Sequence, residues 1–213
     1  MPVAFCFIPQ DVSFRPAAAD VARLLRFLLE DDLADNGGVY VDITCESGYH
    51  RPGTSDLVTL EAAADALEKA DCDAAGFAVE NIRGTGRIPM LFENADQRNL
   101  SLMGWLSVRA FDEPYPLIDS DADYRVTCAG CGAVRPQQEW ASDGTARRCP
   151  DCGQSFAPHE LEYDPKMEWA RFIIEISDLE FVDEPPRLAP GDPLSRELPG
   201  ILGTPLKTAW YHA

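Results

Sequence analysis

Four cysteines impose the tightest distance constraint on how this chain can fold. They stand in two short segments, Cys128-Ala129-Gly130-Cys131-Gly132 and Cys149-Pro150-Asp151-Cys152-Gly153. Two thiols with two residues between them converge when the backbone turns tightly, and a glycine after the second cysteine takes the positive φ that closes such a knuckle. Seventeen residues separate the two pairs, within the spacing that lets two knuckles face each other across one metal ion. Four thiolates complete a tetrahedral shell and suit Zn²⁺; a catalytic zinc keeps an open position, with histidine or carboxylate among its ligands. The expected ligands are therefore Cys128, Cys131, Cys149 and Cys152, and the expected cofactor is one structural Zn²⁺. His159, seven residues beyond Cys152, is not required.

The interval between the pairs reads as a hairpin. Gln137 to Trp140 is a strand candidate, Ser142-Asp143-Gly144 carries a turn signal, and Thr145 to Arg148 returns to the second knuckle. Over roughly residues 124–157 this pattern resembles the zinc-ribbon family of CxxCG…CPxCG modules. The resemblance implies a small metal-stapled module. It covers no other part of the chain.

Outside that segment, hydrophobic periodicity organises the reading. Val3 to Ile8 is apolar at every second position on both faces, as in a central strand covered on both sides. Val21, Leu24, Leu25, Leu28, Leu29 and Leu33 follow a helical stripe, with Pro16 in the first turn and Asn36-Gly37-Gly38 as the expected stop. Val39, Val41 and Ile43 alternate with polar residues, predicting a half-buried strand. A second helix is expected from Thr59 to Ala70 on Leu60, Ala63, Ala64 and Leu67. Ala75 to Val79 and Ile88 to Phe92 are short apolar runs around Arg83-Gly84-Thr85-Gly86-Arg87, expected as a hairpin or exposed loop, and Leu100 to Phe111 is a further strand candidate.

Asp112 to Asp123 carries five carboxylates and two prolines, which marks a boundary. Past the ribbon, Phe172 to Val182 is strand-like, but its apolar phase slips near Ser177-Asp178, predicting a bulge there. Six prolines between 183 and 205 leave room for one turn of helix after Pro193, and Leu206 to Tyr211 closes as a short strand. The fold class expected is α/β or α+β, a mixed sheet with two main helices plus a small zinc-ribbon insertion. The expected division is residues 1–123 together with 158–213 as the main domain, and 124–157 as the ribbon.

Known enzyme signatures are missing: no P-loop, no GxGxxG opening a helix, no GxSxG elbow and no HExxH. Arg83 to Arg87 faintly resembles a phosphate loop, but no recognisable helix follows it. His50 near Cys45 and Glu46, and Glu80-Asn81 against Glu93-Asn94, are the other clusters of reactive groups; nothing in the spacing demands the first as a pair, and solvent-facing strand ends account better for the second. His212 lies at the terminus, and Cys6, Cys45 and Cys72 read as small buried hydrophobes. No catalytic or cofactor-binding residue is assigned.

Charge limits the partners. The chain carries 36 acidic and 18 basic residues, a net charge of −18. Within 124–157 there are four arginines and three acidic residues, against 14 basic and 33 acidic residues elsewhere. Phosphate backbones and anionic membranes repel such a body, and basic proteins are attracted to it. Expected is a cytoplasmic chain, because the opening Met1 to Ile8 is too short and uncharged for a signal segment, and because seven cysteines without a disulfide pattern suit a reducing compartment. The leading expectation is a non-enzymatic protein-binding module, of which an immunity- or antitoxin-like role is one form, with a basic protein as partner and no duplex nucleic acid. The alternatives are an enzyme with an unrecognised site in the α/β part, and a transcription or RNA accessory factor in which Trp140 stacks on a base beside Arg147-Arg148.

Overall fold

A computed structural model describes residues 3–45, 48–50, 57–69, 74–84, 87–91, 97–101, 105–118, 122–142, 146–179, 187–188 and 191–212. The chain opens with β1 (Val3–Pro9), α1 (Ala18–Glu30), β2 (Gly38–Cys45), β3 (Gly48–His50), β4 (Val58–Thr59) and α2 (Leu60–Glu68). Then come β5 (Ala74–Arg83), β6 (Arg87–Leu91), β7 (Gln97–Ser101) and β8 (Trp105–Leu117). The cysteine segment contributes β9 (Arg125–Thr127), β10 (Val134–Pro136), β11 (Ala141–Ser142), β12 (Arg147–Arg148), β13 (Ser155–Phe156) and β14 (Glu162–Asp164). Last are β15 (Glu168–Leu179), β16 (Arg187–Leu188), α3 (Pro193–Leu202) and β17 (Leu206–His212).

The main sheet has the order β17-β1-β15-β8-β5-β2-β3, with β4 also paired to β2. Every pairing among the described residues is antiparallel, so of the two classes expected the protein is α+β. β1 sits inside this sheet as its periodicity predicts. Phe5 and Phe7 face the helical layer, joining Val21, Leu24, Leu25 and Leu28 of α1, Leu60 and Leu67 of α2, and Leu194 and Leu198 of α3 in one buried core. Cys6 and Ile8 point to the opposite face and pack with Leu117 and Ile173. The phase slip in β15 is a bulge: Val3 pairs with Leu179 but Phe5 with Ile176, which leaves one extra residue at 177–178.

Local chemistry sets the helix ends, and α1 corrects its expected stop. The helix ends before Gly37-Gly38, with Asp32 in the left-handed region at φ 54°. Asp32 N–H donates to Leu29 O (3.2 Å) and Leu33 N–H to Leu28 O (2.9 Å), the paired reverse bonds of a Schellman motif. Aspartate takes the position because its short polar side chain tolerates this conformation, and Leu33 folds back into the core, 4% exposed. α2 starts as expected, with Thr59 Oγ1 accepting from Ala62 N–H. α3 runs ten residues rather than one turn. Asp192 caps it, Pro193 fits its first turn and Gly203 at φ 68° stops it, while Leu194, Leu198 and Leu202 bury one stripe in spite of Pro199.

Three further expectations change. β5 and β6 do not form a hairpin: β5 pairs with β2 and β8, whereas β6 joins β7 and β16 in a separate three-stranded sheet. Continuous apolar character from 100 to 111 hides two strands, β7 and β8, in different sheets. The proline-rich stretch from Asp112 is not a boundary at its start, because β8 continues through Pro114 and Pro116 to Leu117. Its ladder to β5 begins at Ala110, so the prolines lie where β8 has a neighbour on one side only. Among the described residues, no helix is long and apolar enough to cross a membrane.

Glu168 opens β15 and receives both Lys166 Nζ (2.8 Å) and Lys207 Nζ of β17. Burial pushes its carboxyl pKa up, but the hydrogen bonds from Lys166 and Lys207 outweigh this, and it ends below the usual glutamate range. A folded-state value below the unfolded one adds stability above the ordinary glutamate pKa, and that stability is lost as pH falls through the folded value. Glu168→Gln should therefore flatten the acid limb of the stability curve, measured as urea midpoints across a pH series, and leave the alkaline limb unchanged.

Candidate metal centre

Two equivalent turns bring the four cysteines together. In the first, Cys128 N–H donates to Ala133 O and Gly132 N–H to Cys128 O, both at 2.8 Å. In the second, Cys149 N–H donates to Gln154 O and Gly153 N–H to Cys149 O, both at 2.9 Å. Gly132 and Gly153 each adopt φ 73°, the left-handed value expected of the closing glycines. One hydrogen-bond pattern thus serves both knuckles and presents two sulfurs from each.

The four Sγ atoms lie within 4.8 Å of one another. Cys128 Sγ is 3.7 Å from Cys152 Sγ, and Cys131 Sγ is 3.8 Å from Cys149 Sγ. Those separations are far beyond a disulfide bond of about 2.05 Å. They match the edge of a sulfur tetrahedron around zinc, about 3.8 Å for metal–sulfur bonds of about 2.3 Å. Cys128 and Cys149 are each 1% exposed, whereas Cys131 and Cys152 lie at the surface.

Without a cation the cluster resists full ionisation. Burial raises the Cys128 thiol, but N–H groups of Cys131 and Gly130 and the neighbouring thiols more than offset this and bring it down to about 7. At Cys131 the N–H of Ala133 favours the thiolate, yet the neighbouring sulfurs, Cys128 foremost, and burial push it up to about 12. One thiolate forms readily and opposes the next. A dication among the four sulfurs removes that repulsion, so the donor set fits a metal such as zinc.

Small strands hold the knuckles in place. β9 pairs with β10 and β14, and β12 pairs with β11 and β13. Between them, Gln137–Glu139 is a single 3₁₀ turn instead of the expected strand: Gln137 N–H makes the last in-register bond of the β10–β9 ladder, to Tyr124 O, and Trp140 N–H then donates back to Gln137 O and closes the turn. The hairpin beyond is present as β11–β12, with Ala141 opposite Arg148. Trp140 is 3% exposed, inside a core with Val126, Cys128, Cys149, Leu161, Tyr163 and Met167. Its ring is therefore not presented for stacking on a base.

Two residues that spacing rules do not identify tie the knuckles together. Arg135 on β10 grips Asp151, inside the second knuckle, through two parallel bonds: Nε to Oδ2 at 2.9 Å and a terminal nitrogen to Oδ1 at 2.7 Å. This fork raises the Arg135 pKa and lowers that of Asp151, in each case chiefly through the shared hydrogen bonds. Their chemistry was visible in the sequence, but their pairing needed the fold.

Elsewhere the candidates separate. Glu80 pairs with Arg109 at 2.9 Å, and Arg83 lies 3.9 Å from Asp35. Glu46, Cys72, Thr85, Gly86, Glu93 and Asn94 lie outside the described residues, as do the side chains of Cys45, His50 and His212. In the β2–β3 hairpin His50 stands opposite Ile43, not Cys45. Cys6 is fully buried within the sheet. His159 lies beside Trp169, ring centroids 6.3 Å apart, and is not among the clustered ligands.

Fold and site together define an α+β protein carrying a four-cysteine cluster of metal-ligating geometry. No protein-family model matches the chain, and no curated protein or solved structure matches it either.

The Arg135–Asp151 fork is half-exposed, so its contribution is small. Arg135→Ala should weaken metal retention only slightly, read by competition with a chelator, whereas loss of a cysteine should weaken it far more.

Proposed function

We propose that Cys128, Cys131, Cys149 and Cys152 hold one structural Zn²⁺, and that residues 124–157 form a zinc ribbon inserted into a non-enzymatic protein-binding α+β body. The observation that carries the metal assignment is the tetrahedral spacing of four sulfurs with no place left open in the ligand set. The insertion is supported by strand register. β8 ends at Leu117 directly opposite Glu168, where β15 begins, so residues 118–167 leave the main sheet and return to it at one point. The cysteine segment has a core separate from that of the main sheet, completed by Leu161, Tyr163 and Met167 just beyond residue 157, and Phe172, Ile174 and Ile176 belong to the other.

Purified protein should contain one equivalent of zinc. Cys149→Ser should release it and unfold the ribbon, because structural zinc contributes roughly 10–16 kcal/mol of apparent binding free energy in small fingers. The main sheet should still unfold cooperatively in that variant. A folded ribbon free of metal sinks the zinc assignment, and collapse of the whole chain sinks the insertion.

Protein binding is favoured by charge: 36 acidic against 18 basic residues suit a basic partner. An immunity- or antitoxin-like role, blocking a basic toxin, is one form of this reading. Association should weaken as salt is added, and duplex DNA should be refused at physiological ionic strength. Micromolar duplex binding that falls steeply with salt would overturn the charge argument.

A further inference from the structure

Seven buried side-chain nitrogen or oxygen atoms lack a hydrogen-bond partner among the described residues, and four of them lie in or beside the ribbon core: Trp140 Nε1, Arg147 Nε, Tyr163 Oη and Trp169 Nε1. A buried donor left unpaired is destabilising by about 1–3 kcal/mol. Such atoms are few in native proteins, and each calls for an unseen partner or a functional account. Concentration of four in one small core is what needs explaining.

Three of the four are neighbours. The Tyr163 and Trp169 rings are 5.9 Å apart. Burial raises the Tyr163 hydroxyl pKa, and the charge of Arg147 acts on the same hydroxyl in the opposite sense. Arg147 lies on β12 opposite Phe156, which packs on the same core as Trp169. Tyr163 is 7% exposed, so its hydroxyl is shut off from bulk water.

The three groups also share a chemistry. An indole N–H and a guanidinium N–H only donate, and a tyrosine hydroxyl donates readily. What they lack is an acceptor. Among the described residues no ion pair to a carboxylate is made by Arg147, as also for Arg125, Arg148 and Arg171, but of these four only Arg147 has a buried nitrogen without a partner. Arg15, Arg23, Arg26, Arg83, Arg109 and Arg135 all reach a carboxylate.

We propose that Arg147, Tyr163 and Trp169 form a binding site for an oxyanion, a carboxylate or phosphate group that accepts from Arg147 Nε, Tyr163 Oη and Trp169 Nε1. The bound group satisfies three buried donors and neutralises the one cation beside them. An oxyanion does this better than water because charge-assisted bonds to guanidinium are the stronger class. The site needs the folded ribbon but not any particular identity of its metal.

The test uses the full-length metal-loaded protein and follows the indole N–H resonances by NMR, with Trp169 assigned through Trp169→Phe. Inorganic phosphate and acetate are titrated separately, with ionic strength held constant by chloride. Expected is a saturable shift of the Trp169 Nε1–H signal with at least one anion, weakened about tenfold or more in Arg147→Gln, the loss expected for one charge-assisted bond. A response to phosphate alone assigns a phosphate group, and one to acetate alone a carboxylate. Should Arg147→Gln also lose the Trp140 signal, Tyr163→Phe keeps the ring, removes only the hydroxyl, and must weaken binding in its place. No saturable shift with either anion means that water alone fills the site and overturns the proposal. A shift equally strong in both variants does so too.

Discussion

Pairing of β1 on both edges is the interaction on which the main fold depends. Its seven residues are hydrogen-bonded to β15 on one side and β17 on the other, and Ala4 to Ile8 are at most 2% exposed. An isolated strand of this composition would expose a row of unpaired amides and two phenylalanines; here both partners come from the far end of the chain. The sheet cannot close until residues 168–212 are present, and long-range pairing of this kind makes folding slow relative to helical proteins. It also explains how β15 tolerates its bulge: the extra residue at 177–178 shifts the β1 register just where β1 begins, past the densest part of the core.

The ribbon answers the opposite problem, too little core instead of a core closed late. Its strands are two or three residues long, and such strands are not stable alone. Among the described residues its buried core is eight side chains, two of them cysteines of the cluster and three of them, Leu161, Tyr163 and Met167, beyond residue 157. A cross-link is needed, and four sulfurs spaced as a tetrahedron supply its ligands. The two knuckles reach that spacing through the same pair of backbone bonds, so the geometry is set locally before the knuckles meet.

Much of this was legible in the sequence because it rests on local rules. The cysteine pairs, the closing glycines, the stripes of α1 and α2, the alternation in β1 and the bulge in β15 are all readable from spacing. What was missed depends on neighbours. Asp32 terminates α1 because Leu33 has a core to enter, and no glycine is needed. Leu100 to Phe111 reads as one strand because apolar character does not reveal which sheet a residue joins. Gln137–Glu139 becomes a 3₁₀ turn because the β10–β9 ladder ends at Gln137, whose carbonyl accepts from Trp140 N–H as the indole ring turns into the core. Pro199 would end most helices, yet a capped start and three buried leucines carry α3 past it.

Two arginines of the cysteine segment make contacts at the second knuckle. Four thiolates would add to the negative charge of a chain already at −18, and a divalent ion would cancel only half of what they add. Local cations reduce the remaining repulsion. Arg135 shows the effect directly: its charged form is favoured first by Asp151 and also, through space, by Glu139 and by Cys149. Arg148 Nε donates to Gly153 O and braces the second knuckle from outside. Meanwhile Trp140, the aromatic that would have to stack on a base, is spent in the interior. Arg135 and Arg148 thus stand beside the second knuckle, where a positive charge opposes the repulsion among the sulfurs, while Arg147 faces Tyr163 instead.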